Sequence, residues 1–283
     1  MESALREEQK GRCIQLITAG VLGSPISHSL SPLLHKTVYD YLGIKASYVA
    51  YEVESGNLKK FLGNDGSTLN GLSLTMPLKE EALEIADSIS DISRQIQSGN
   101  TLHKVNGLWN LTSTDVEGFT QALRFNNRDA KGNVLILGAG ATARAVAAAC
   151  DKVSKKVTVI HRSPDRQEAM KVAAPHLDLN FVSWDTAINF NEFDLVINTT
   201  PGEAAAHFVD QVDTSESTFF EVLYNPWPTQ LLSRWRACGG FGIDGLDLLI
   251  HQAISQIEIF TSMTLERDSI ARMLRIIGEK QLS

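Results

Sequence analysis

The sequence predicts an α/β protein, with a doubly wound parallel sheet in its second half, another α/β unit before it, and a cleft between the two. Three observations predict this fold. Short apolar runs suited to strands alternate with helical segments along most of the chain. A glycine-rich turn joins one of these strands directly to a helix. Two amphipathic helical segments, about 247–262 and 264–279, come last, with no strand after them.

The composition is that of a globular protein. The chain has 283 residues, of which 43% are hydrophobic and 21% are charged, so it can bury one large core or two ordinary ones. No apolar run reaches the length of a membrane span, and the charged N-terminus is unlike a secretion signal. The net charge of −7, without a basic stripe, disfavours nucleic-acid binding. We therefore expect a cytoplasmic protein with no membrane or nucleic-acid partner.

The three cysteines are Cys13, Cys150 and Cys238. They lie far apart, are odd in number, and have the spacing of neither a metal site nor a disulfide framework. We expect reduced thiols and no bound metal. Residues 1 to about 13 are predicted to form a disordered or loosely held extension.

Strand and helix signals alternate in the first half of the chain. Strands are predicted at 16–22, 47–53, 71–75 and 107–111. Pro32 fits the first turn of a helix that runs to about Leu42, with Ser31 as its N-cap. Further helices are predicted at 58–62, from 79 to about 86, and from about 118 to 125. This order of elements is typical of an α/β unit.

The second half carries five strand signals, at 134–137, 157–160, about 179–182, 194–198 and 218–222. Because helical segments separate them, the strands are expected to lie parallel, with helices on both faces of the sheet. The last two helical segments either complete this unit or return to the first one. The pattern alone leaves both possibilities open.

The segment 133–150, NVLILGAGATARAVAAAC, is the strand, tight turn and helix of a dinucleotide-binding unit. Gly138 permits the sharp turn, Gly140 lets a pyrophosphate approach the backbone, and Ala143 lets the helix pack closely on the sheet. The first N–H groups of the helix would bind phosphate. A plain tight turn between strand and helix is the alternative interpretation.

The end of the next strand favours NADP over NAD. An NAD-binding domain places a carboxylate there to hold the ribose 2′-hydroxyl. This chain instead has His161 and Arg162, with Arg166 one turn further on. A carboxylate would repel a 2′-phosphate, whereas a guanidinium can bind it with two hydrogen bonds. A solvated basic loop is the alternative.

Eight ordered blocks of sequence between residues 21 and 253 carry a family resemblance. They lie at 24–35, which reads SPISHSLSPLLH, and at 74–79, 100–102, 114–119, 138–145, 198–200, 224–232 and 245–253. Together they strongly resemble shikimate dehydrogenases. The resemblance implies a reversible, NADPH-dependent reduction of 3-dehydroshikimate to shikimate in aromatic amino-acid biosynthesis. It also implies a monomer or homodimer whose only ligands are the small-molecule substrate and NADP.

The resemblance also implies a domain division. In this family the last helices return to the N-terminal unit. Residues 1–116, completed by 248–283, would then form the substrate-binding and catalytic domain, and residues 117–247 an NADP-binding Rossmann domain. The active cleft would lie between the domains, where ligand sites are common.

The resemblance implies three groups of site residues. The catalytic pair is Lys79 and Asp115. The substrate would be bound by Ser29, Ser31, Ser73, Thr75, Asn100, Tyr224 and Gln252. The cofactor would be bound by Gly138, Ala139, Gly140, Ala141, Thr142, His161, Arg162, Arg166, Thr199, Thr200 and Gly245.

The chemistry of these residue types suits the reaction. Hydride transfer to a ketone leaves an alkoxide, which an ammonium such as Lys79 can stabilise and protonate while the carboxylate of Asp115 orients it. Hydroxyls such as those of Ser29 and Ser31 can bind a substrate carboxylate without a salt bridge. Without the resemblance, the lysine reads as part of a solvated helix face, the aspartate as a helix N-cap, and the serines as a helix-start signal.

The chain departs from the usual family residues at four places. Ser73 stands for asparagine, Ser113 for the first residue of Asn-Thr-Asp, Glu221 for aspartate, and Gly99 for a larger apolar residue. These changes leave open a quinate/shikimate dehydrogenase or another relative with a shifted substrate preference. A non-catalytic NADP-binding regulator is a further alternative. The presence of both Lys79 and Asp115 argues against a regulator, because binding alone does not need the pair.

Overall fold

The computed structural model describes residues 16–213 and 216–283. It contains two six-stranded sheets. The predicted N-terminal extension and Cys13 lie outside the described residues. Within the described part of the chain, no helix is long and apolar enough to cross a membrane. The same part contains no group of three or more His, Cys, Asp or Glu side chains placed to hold a metal ion.

The N-terminal sheet is mixed and has the strand order β2-β1-β3-β5-β6-β4. Its strands are β1 (Ile17–Gly23), β2 (Ala46–Glu52), β3 (Gly71–Leu74), β4 (Ser88–Ile89), β5 (Thr101–Val105) and β6 (Leu108–Thr112). The helices of this part are α1 (Ser31–Leu42), α2 (Leu58–Gly63), α3 (Leu78–Glu81) and α4 (Asp91–Ile96). Helix α5 (Asp115–Phe125) follows them and packs Phe119 and Leu123 into the buried cluster of the second sheet. Strand β1 is parallel to β2 and β3, whereas β5 is antiparallel to β3 and β6.

The second sheet is entirely parallel and has the strand order β12-β11-β10-β7-β8-β9. Its strands are β7 (Asn133–Leu137), β8 (Lys156–His161), β9 (Leu179–Ser183), β10 (Leu195–Asn198), β11 (Thr218–Glu221) and β12 (Phe241–Ile243). Its helices are α6 (Ala141–Cys150), α7 (Gln167–Ala173) and α8 (Gln230–Ala237). The order reverses between β7 and β10, the point where such sheets bind dinucleotides. The predicted doubly wound parallel sheet is confirmed.

The two C-terminal helices, α9 (Gly245–Thr261) and α10 (Arg267–Leu282), pack against the N-terminal unit. Leu34 and Val38 of α1 share a buried cluster with Ile254 of α9 and Leu274 of α10. Helix α9 also lies close to α5, since a side chain at Gly118 would collide with the backbone of Gln252. These contacts place the final helices over the first sheet.

Two local predictions were wrong. Ser31 is not the N-cap of α1, because the helix begins at Ser31 and Leu30 occupies the cap position without a side-chain bond. The hydroxyl of Ser29 accepts a hydrogen bond from the Ser31 N–H at 3.3 Å. The helix predicted from 79 to about 86 is a single α-turn followed by the 3₁₀ turn Ala82–Glu84.

Candidate active site

A cleft separates the two units next to the glycine turn. A cavity of about 320 Å³ lies there, lined by residues of both units. Glu80, Leu83 and Gln97 belong to the N-terminal unit, and Arg144, Asp165, Arg166 and Ala169 to the second unit. This cavity lies beside α6, and Arg166 is the one predicted site residue in its lining.

Lys79, the chain neighbour of the cavity-lining Glu80, forms an ion pair with Asp115. Lys79 lies in the one-turn helix α3, and Asp115 is the first residue of α5. The lysine Nζ lies 2.6 Å from Oδ2 of the aspartate, and the two side chains are 17% and 7% exposed. Because little water reaches the pair, this charge-assisted hydrogen bond fixes the direction of the ammonium. The partial exposure of Lys79 leaves its remaining N–H groups available to a ligand.

Asn100 holds the other oxygen of the Asp115 carboxylate. Its Nδ2 donates to Oδ1 of Asp115 at 2.8 Å and lies 3.2 Å from Oε1 of Gln252. Its Oδ1 accepts from the backbone N–H of Thr114 at 2.8 Å. Thr114 occupies the N-cap position of α5 without a side-chain cap, so the alternative of Asp115 as an N-cap is wrong. Both carboxylate oxygens are instead engaged, Oδ2 with Lys79 and Oδ1 with Asn100.

Ser29 and Ser31 lie beside two partly buried tyrosines. Tyr224 lies near Ser29, and Tyr48 lies near Ser31. Burial raises the pKa of both phenols, which remain neutral donors. The hydroxyls of Ser29, Ser31 and Tyr224 thus lie together at the start of α1, an arrangement suited to binding a carboxylate through neutral donors, whereas Tyr48 donates its proton to Ser73.

Ser73 is bonded within the protein on two sides. The hydroxyl of Tyr48 donates to Ser73 Oγ at 2.6 Å, and Ser73 donates to Oε1 of Gln256 at 2.7 Å. Thr75 follows β3, where its backbone N–H donates to the carbonyl oxygen of Leu22 at 2.9 Å. Ser73 and Thr75 therefore lie at the carboxyl end of β3, on the chain segment that leads to Lys79.

The glycine turn has the geometry that a pyrophosphate requires. Gly138 has φ of +105°, and a Cβ there would lie 2.7 Å from Oγ1 of Thr199. Gly140 occupies the N-cap position of α6, where a Cβ would meet only the Arg166 guanidinium, at 3.8 Å. A glycine cannot cap the first N–H groups of α6, so these groups can bind an anion. Ala139, Ala141 and Thr142 complete the same turn.

The end of β8 carries two exposed guanidinium groups. Arg162 directly follows the strand, and Arg166 lies one turn later beside Gly140. The nearby Asp165 carboxylate accepts a hydrogen bond from Ser163 at 2.7 Å. His161 is held by a 2.8 Å contact between its Nε2 and Gln167. These residues fit a dinucleotide that carries a 2′-phosphate.

Comparisons with known proteins identify the family. A model of the shikimate dehydrogenase substrate binding domain matches residues 21–102. The NADP(+) shikimate dehydrogenase of Leptospira interrogans is 32% identical over 268 residues, which cover 90% of this chain and 92% of that protein. The corresponding protein of Methanococcoides burtonii is 34% identical over 85% of this chain and 91% of its own length.

This chain belongs to the shikimate dehydrogenase family. The Mycobacterium tuberculosis shikimate dehydrogenase structure matches it with a TM-score of 0.81 and 31% identity, covering 92% of this chain and 99% of that one. The Thermus thermophilus shikimate 5-dehydrogenase, in complex with NADP(H) and shikimate, matches with a TM-score of 0.81, 29% identity and the same coverage. The predicted family and fold class are confirmed.

Of the remaining predicted cofactor residues of this shikimate dehydrogenase family member, Thr199 and Thr200 lie beside the glycine turn, and Gly245 lies at the start of α9. Thr199 and Thr200 follow β10, the neighbour of β7. Oγ1 of Thr199 donates to the carbonyl oxygen of Leu137 at 2.7 Å, and Oγ1 of Thr200 donates to Oδ1 of Asn198 at 2.7 Å. Gly245 is buried against the backbone that follows β11, so its missing side chain permits close packing of α9.

Two departures from the family pattern have a structural explanation. A Cβ on Gly99 would collide with the side chain of Leu111, which fills the space that a larger residue would need. Glu221 is fully buried and accepts hydrogen bonds from Asn198 Nδ2 at 3.0 Å and from Thr229 Oγ1 at 2.8 Å. Burial raises the pKa of this carboxyl to about 7.

Sequence reasoning missed four residues of the site: Tyr48, Glu80, Arg144 and Gln256. Gln256 had a usable signal, because it follows Gln252 by four residues and so shares its face of α9. Arg144 had none. It lies in an alanine-rich helix, yet it is only 3% exposed, and its guanidinium reaches across to Glu80 at 2.7 Å.

Proposed function

We propose that this protein catalyses the reversible, NADPH-dependent reduction of 3-dehydroshikimate to shikimate. The 2.6 Å ion pair between Lys79 and Asp115 carries the proposal, because it holds an oriented and partly exposed ammonium next in the chain to Glu80, which lines the cavity between the two units. Binding of nucleotide alone does not require such a pair. The names of the relatives and the shikimate and NADP(H) in the Thermus thermophilus structure support the same substrate and cofactor.

We infer that residues 1–116 and 248–283 form one substrate-binding and catalytic domain, and that residues 117–247 form an NADP-binding Rossmann domain. The match of the substrate-binding family model to residues 21–102 supports this division. The packing of α9 and α10 against α1 supports it too. A cytoplasmic location and a monomeric or homodimeric state stay predictions from the sequence.

The glycine turn and the basic end of β8 would bind the cofactor. The backbone from Gly138 to Thr142 would hold the pyrophosphate at the N-terminus of α6. Arg162 and Arg166 would hold the 2′-phosphate. NADP, when bound, exchanges a hydride with the substrate carbon.

The catalytic pair would transfer the proton that accompanies the hydride. Lys79 would donate a proton to the substrate oxygen during reduction and stabilise the negative charge that develops there. Asp115 would orient the ammonium through its Oδ2. Asn100 would hold Asp115 in turn, since it donates to Oδ1 at 2.8 Å. This chain of contacts explains how a flexible lysine keeps one direction.

The substrate would be held from two sides. The hydroxyls of Ser29 and Ser31, with that of Tyr224, would bind its carboxylate. Its ring hydroxyls would meet polar side chains from β3, β5 and α9, namely Ser73, Thr75, Asn100 and Gln252. This second group includes Asn100, so substrate recognition and support of the catalytic pair would share a residue.

Steady-state oxidation of shikimate and of quinate, each with NADP and with NAD, tests the proposal. We expect the highest kcat/KM with shikimate and NADP. A higher kcat/KM with quinate would assign the protein to the quinate-using relatives instead. Absence of turnover with every pair, in a protein that still binds NADPH, would overturn the proposal in favour of a regulator.

A further inference from the structure

Gln256 is a fully buried carboxamide whose two ends are both occupied. Its Oε1 accepts a hydrogen bond from Ser73 Oγ at 2.7 Å. Its Nε2 donates to the carbonyl oxygen of Asn100 at 3.1 Å and to Oγ1 of Thr101 at 3.1 Å. Gln256 lies one helical turn after Gln252, which meets the Asn100 side chain. Of the two glutamines of α9, Gln256 thus bonds to the backbone of Asn100 and Gln252 to its side chain.

The direction of each hydrogen bond in this network is fixed. A backbone carbonyl can only accept, so the amide nitrogen of Gln256 must face Asn100 and its oxygen must face Ser73. Ser73 must therefore donate to Gln256. The hydroxyl of Tyr48, 2.6 Å away, must then donate to Ser73. The single proton of Ser73 is committed within the protein, and only an acceptor lone pair of its oxygen remains.

The partner of Ser73 on its other side is itself held rigidly. The Tyr48 ring stacks on that of His35, with 3.9 Å between centroids and 18° between planes. Burial lowers the pKa of His35 to about 3, so this ring is neutral. The stacked pair gives Tyr48 one direction in which to donate.

We propose that Gln256 is a positioning residue of the substrate site. It fixes the backbone of Asn100, whose side chain supports Asp115, and it makes Ser73 an acceptor-only contact. A ligand group that meets Ser73 must then be a donor, such as a ring hydroxyl, and not a carbonyl or ether oxygen. The inference deepens the proposed function and rests on it, because shikimate is the ligand that offers such hydroxyls.

Gln256→Met tests the role, because methionine has a similar length but can replace none of the three hydrogen bonds. Loss of one such hydrogen bond typically weakens binding a few-fold, so we expect KM for shikimate to rise by about fivefold or more. We expect kcat to fall as well, because Asn100 loses its backbone support, while KM for NADP stays within about twofold of wild type. Ser255→Ala is the control. It removes a buried hydroxyl of the same helix, and this hydroxyl has no hydrogen-bond partner among the described residues.

Gln256→Glu separates positioning from a merely structural role. A protonated glutamic acid can donate to the Asn100 carbonyl and accept from Ser73, as the amide does, whereas the ionised form places an acceptor against the carbonyl. Burial would raise the pKa of this carboxyl. We expect the ratio of variant to wild-type KM for shikimate to be near one at low pH and to rise with pH. The same ratio for Gln256→Met should be flat, since a packing defect alone gives no pH dependence.

The outcomes are distinct. If the wild-type enzyme is active and both Gln256 variants have its KM and kcat at every pH, the inference is overturned and the proposed function stays intact. Wild-type protein that neither oxidises nor binds shikimate would overturn both. If Gln256→Met does not fold, Ser73→Ala breaks the same network from β3, and an unchanged KM for shikimate in that variant would also refute the role.

Discussion

The guanidinium of Arg144 lies 2.7 Å from the carboxylate of Glu80, and this contact ties the helix of the glycine turn to the helix of Lys79. The arginine also donates to the carbonyl oxygens of Ile96 at 2.6 Å and Gln97 at 3.0 Å. One buried side chain of the second unit therefore binds two segments of the first. Because it lies between the cofactor turn and the catalytic pair, it sets how the two halves of the site meet.

Arg144→Met should destabilise the protein and loosen this contact. The change leaves the buried carbonyl oxygen of Ile96 without its donor, whereas the half-exposed Glu80 carboxylate keeps Arg166 at 3.8 Å, so we expect a cost of about 1–3 kcal/mol. Thermal and urea unfolding would measure the loss. Arg124→Met is the control, because Arg124 pairs with Asp268 at 3.5 Å with both side chains more than half exposed. Such a surface pair is worth about 0–1 kcal/mol. Equal losses of unfolding free energy in Arg144→Met and Arg124→Met would refute the role of Arg144 in joining the two units.

Changing both Ser29 and Ser31 to alanine should weaken substrate binding selectively. A hydroxyl bonded to a charged group is worth about 1.5–3 kcal/mol, so KM for shikimate should rise at least about tenfold. KM for NADP should stay near its wild-type value. Ser27→Ala, an exposed change in the same loop, is the matched control. An unchanged KM in the double variant would remove the two serines from the site.

Arg162→Asp should shift the cofactor preference from NADP towards NAD. The change replaces attraction of the 2′-phosphate with repulsion, and loss of one charge-assisted contact costs about 1.5–3 kcal/mol. The ratio of kcat/KM with NADP to that with NAD measures the shift. Arg272→Asp makes the same charge change on an exposed face of α10 and should leave the ratio unchanged. Wild-type enzyme that already prefers NAD would contradict the assignment without any mutation.

The sequence predicted the second unit better than the first because several of its strands contain a continuous apolar run, such as VLIL in β7 and LVI in β10. Strand β12 was missed, since it has only three residues with glycine in the middle, Phe241–Ile243. In the first unit, β5 was missed because it reads TLHKV and contains two basic side chains. Its strand character comes from pairing with β3 and β6, which no local pattern reveals.

The candidate site was predictable only in part. Lys79 and Asp115 are 36 residues apart, and only the resemblance to a family brought them together. Gln256 and Ser73 are 183 residues apart, and their contact exists because α9 returns to the first sheet. Such pairings depend on the path of the chain in space, so residue type and spacing could not supply them.

Glu221→Gln should change how stability depends on pH. Burial raises the pKa of Glu221 from 4.5 to about 7, so between these pH values the folded state binds more protons than the unfolded state. The free energy of unfolding of the wild type therefore falls as pH rises through this window, by about 3 kcal/mol at most from this group. Glutamine stays neutral, so the free energy of unfolding of the variant should rise relative to that of the wild type between pH 5 and pH 8. The exposed change Glu84→Gln should show no such trend, and a constant difference for Glu221→Gln would contradict the prediction.

Lys79→Ala and Asp115→Asn should separate the two roles in the catalytic pair. Removal of the ammonium deletes both the proton donor and the charge that stabilises the substrate oxygen. We expect kcat to fall by about 10²-fold or more, with little change in KM for NADP. Asp115→Asn keeps a hydrogen-bonding group that can accept from Lys79 but has no charge to orient the ammonium. In this variant the fall in kcat should be larger than the rise in KM for shikimate.

Measurement of kcat across pH with saturating shikimate would test both variants, with Lys104→Ala as the control. Lys104 also lies in the N-terminal sheet, but its ammonium bonds to the carbonyl oxygen of Ser67, at 2.7 Å. Its removal should leave kcat nearly unchanged. A Lys79→Ala enzyme that retains most of the wild-type kcat would overturn the assignment, because an ammonium held 2.6 Å from its carboxylate would then be only a structural ion pair.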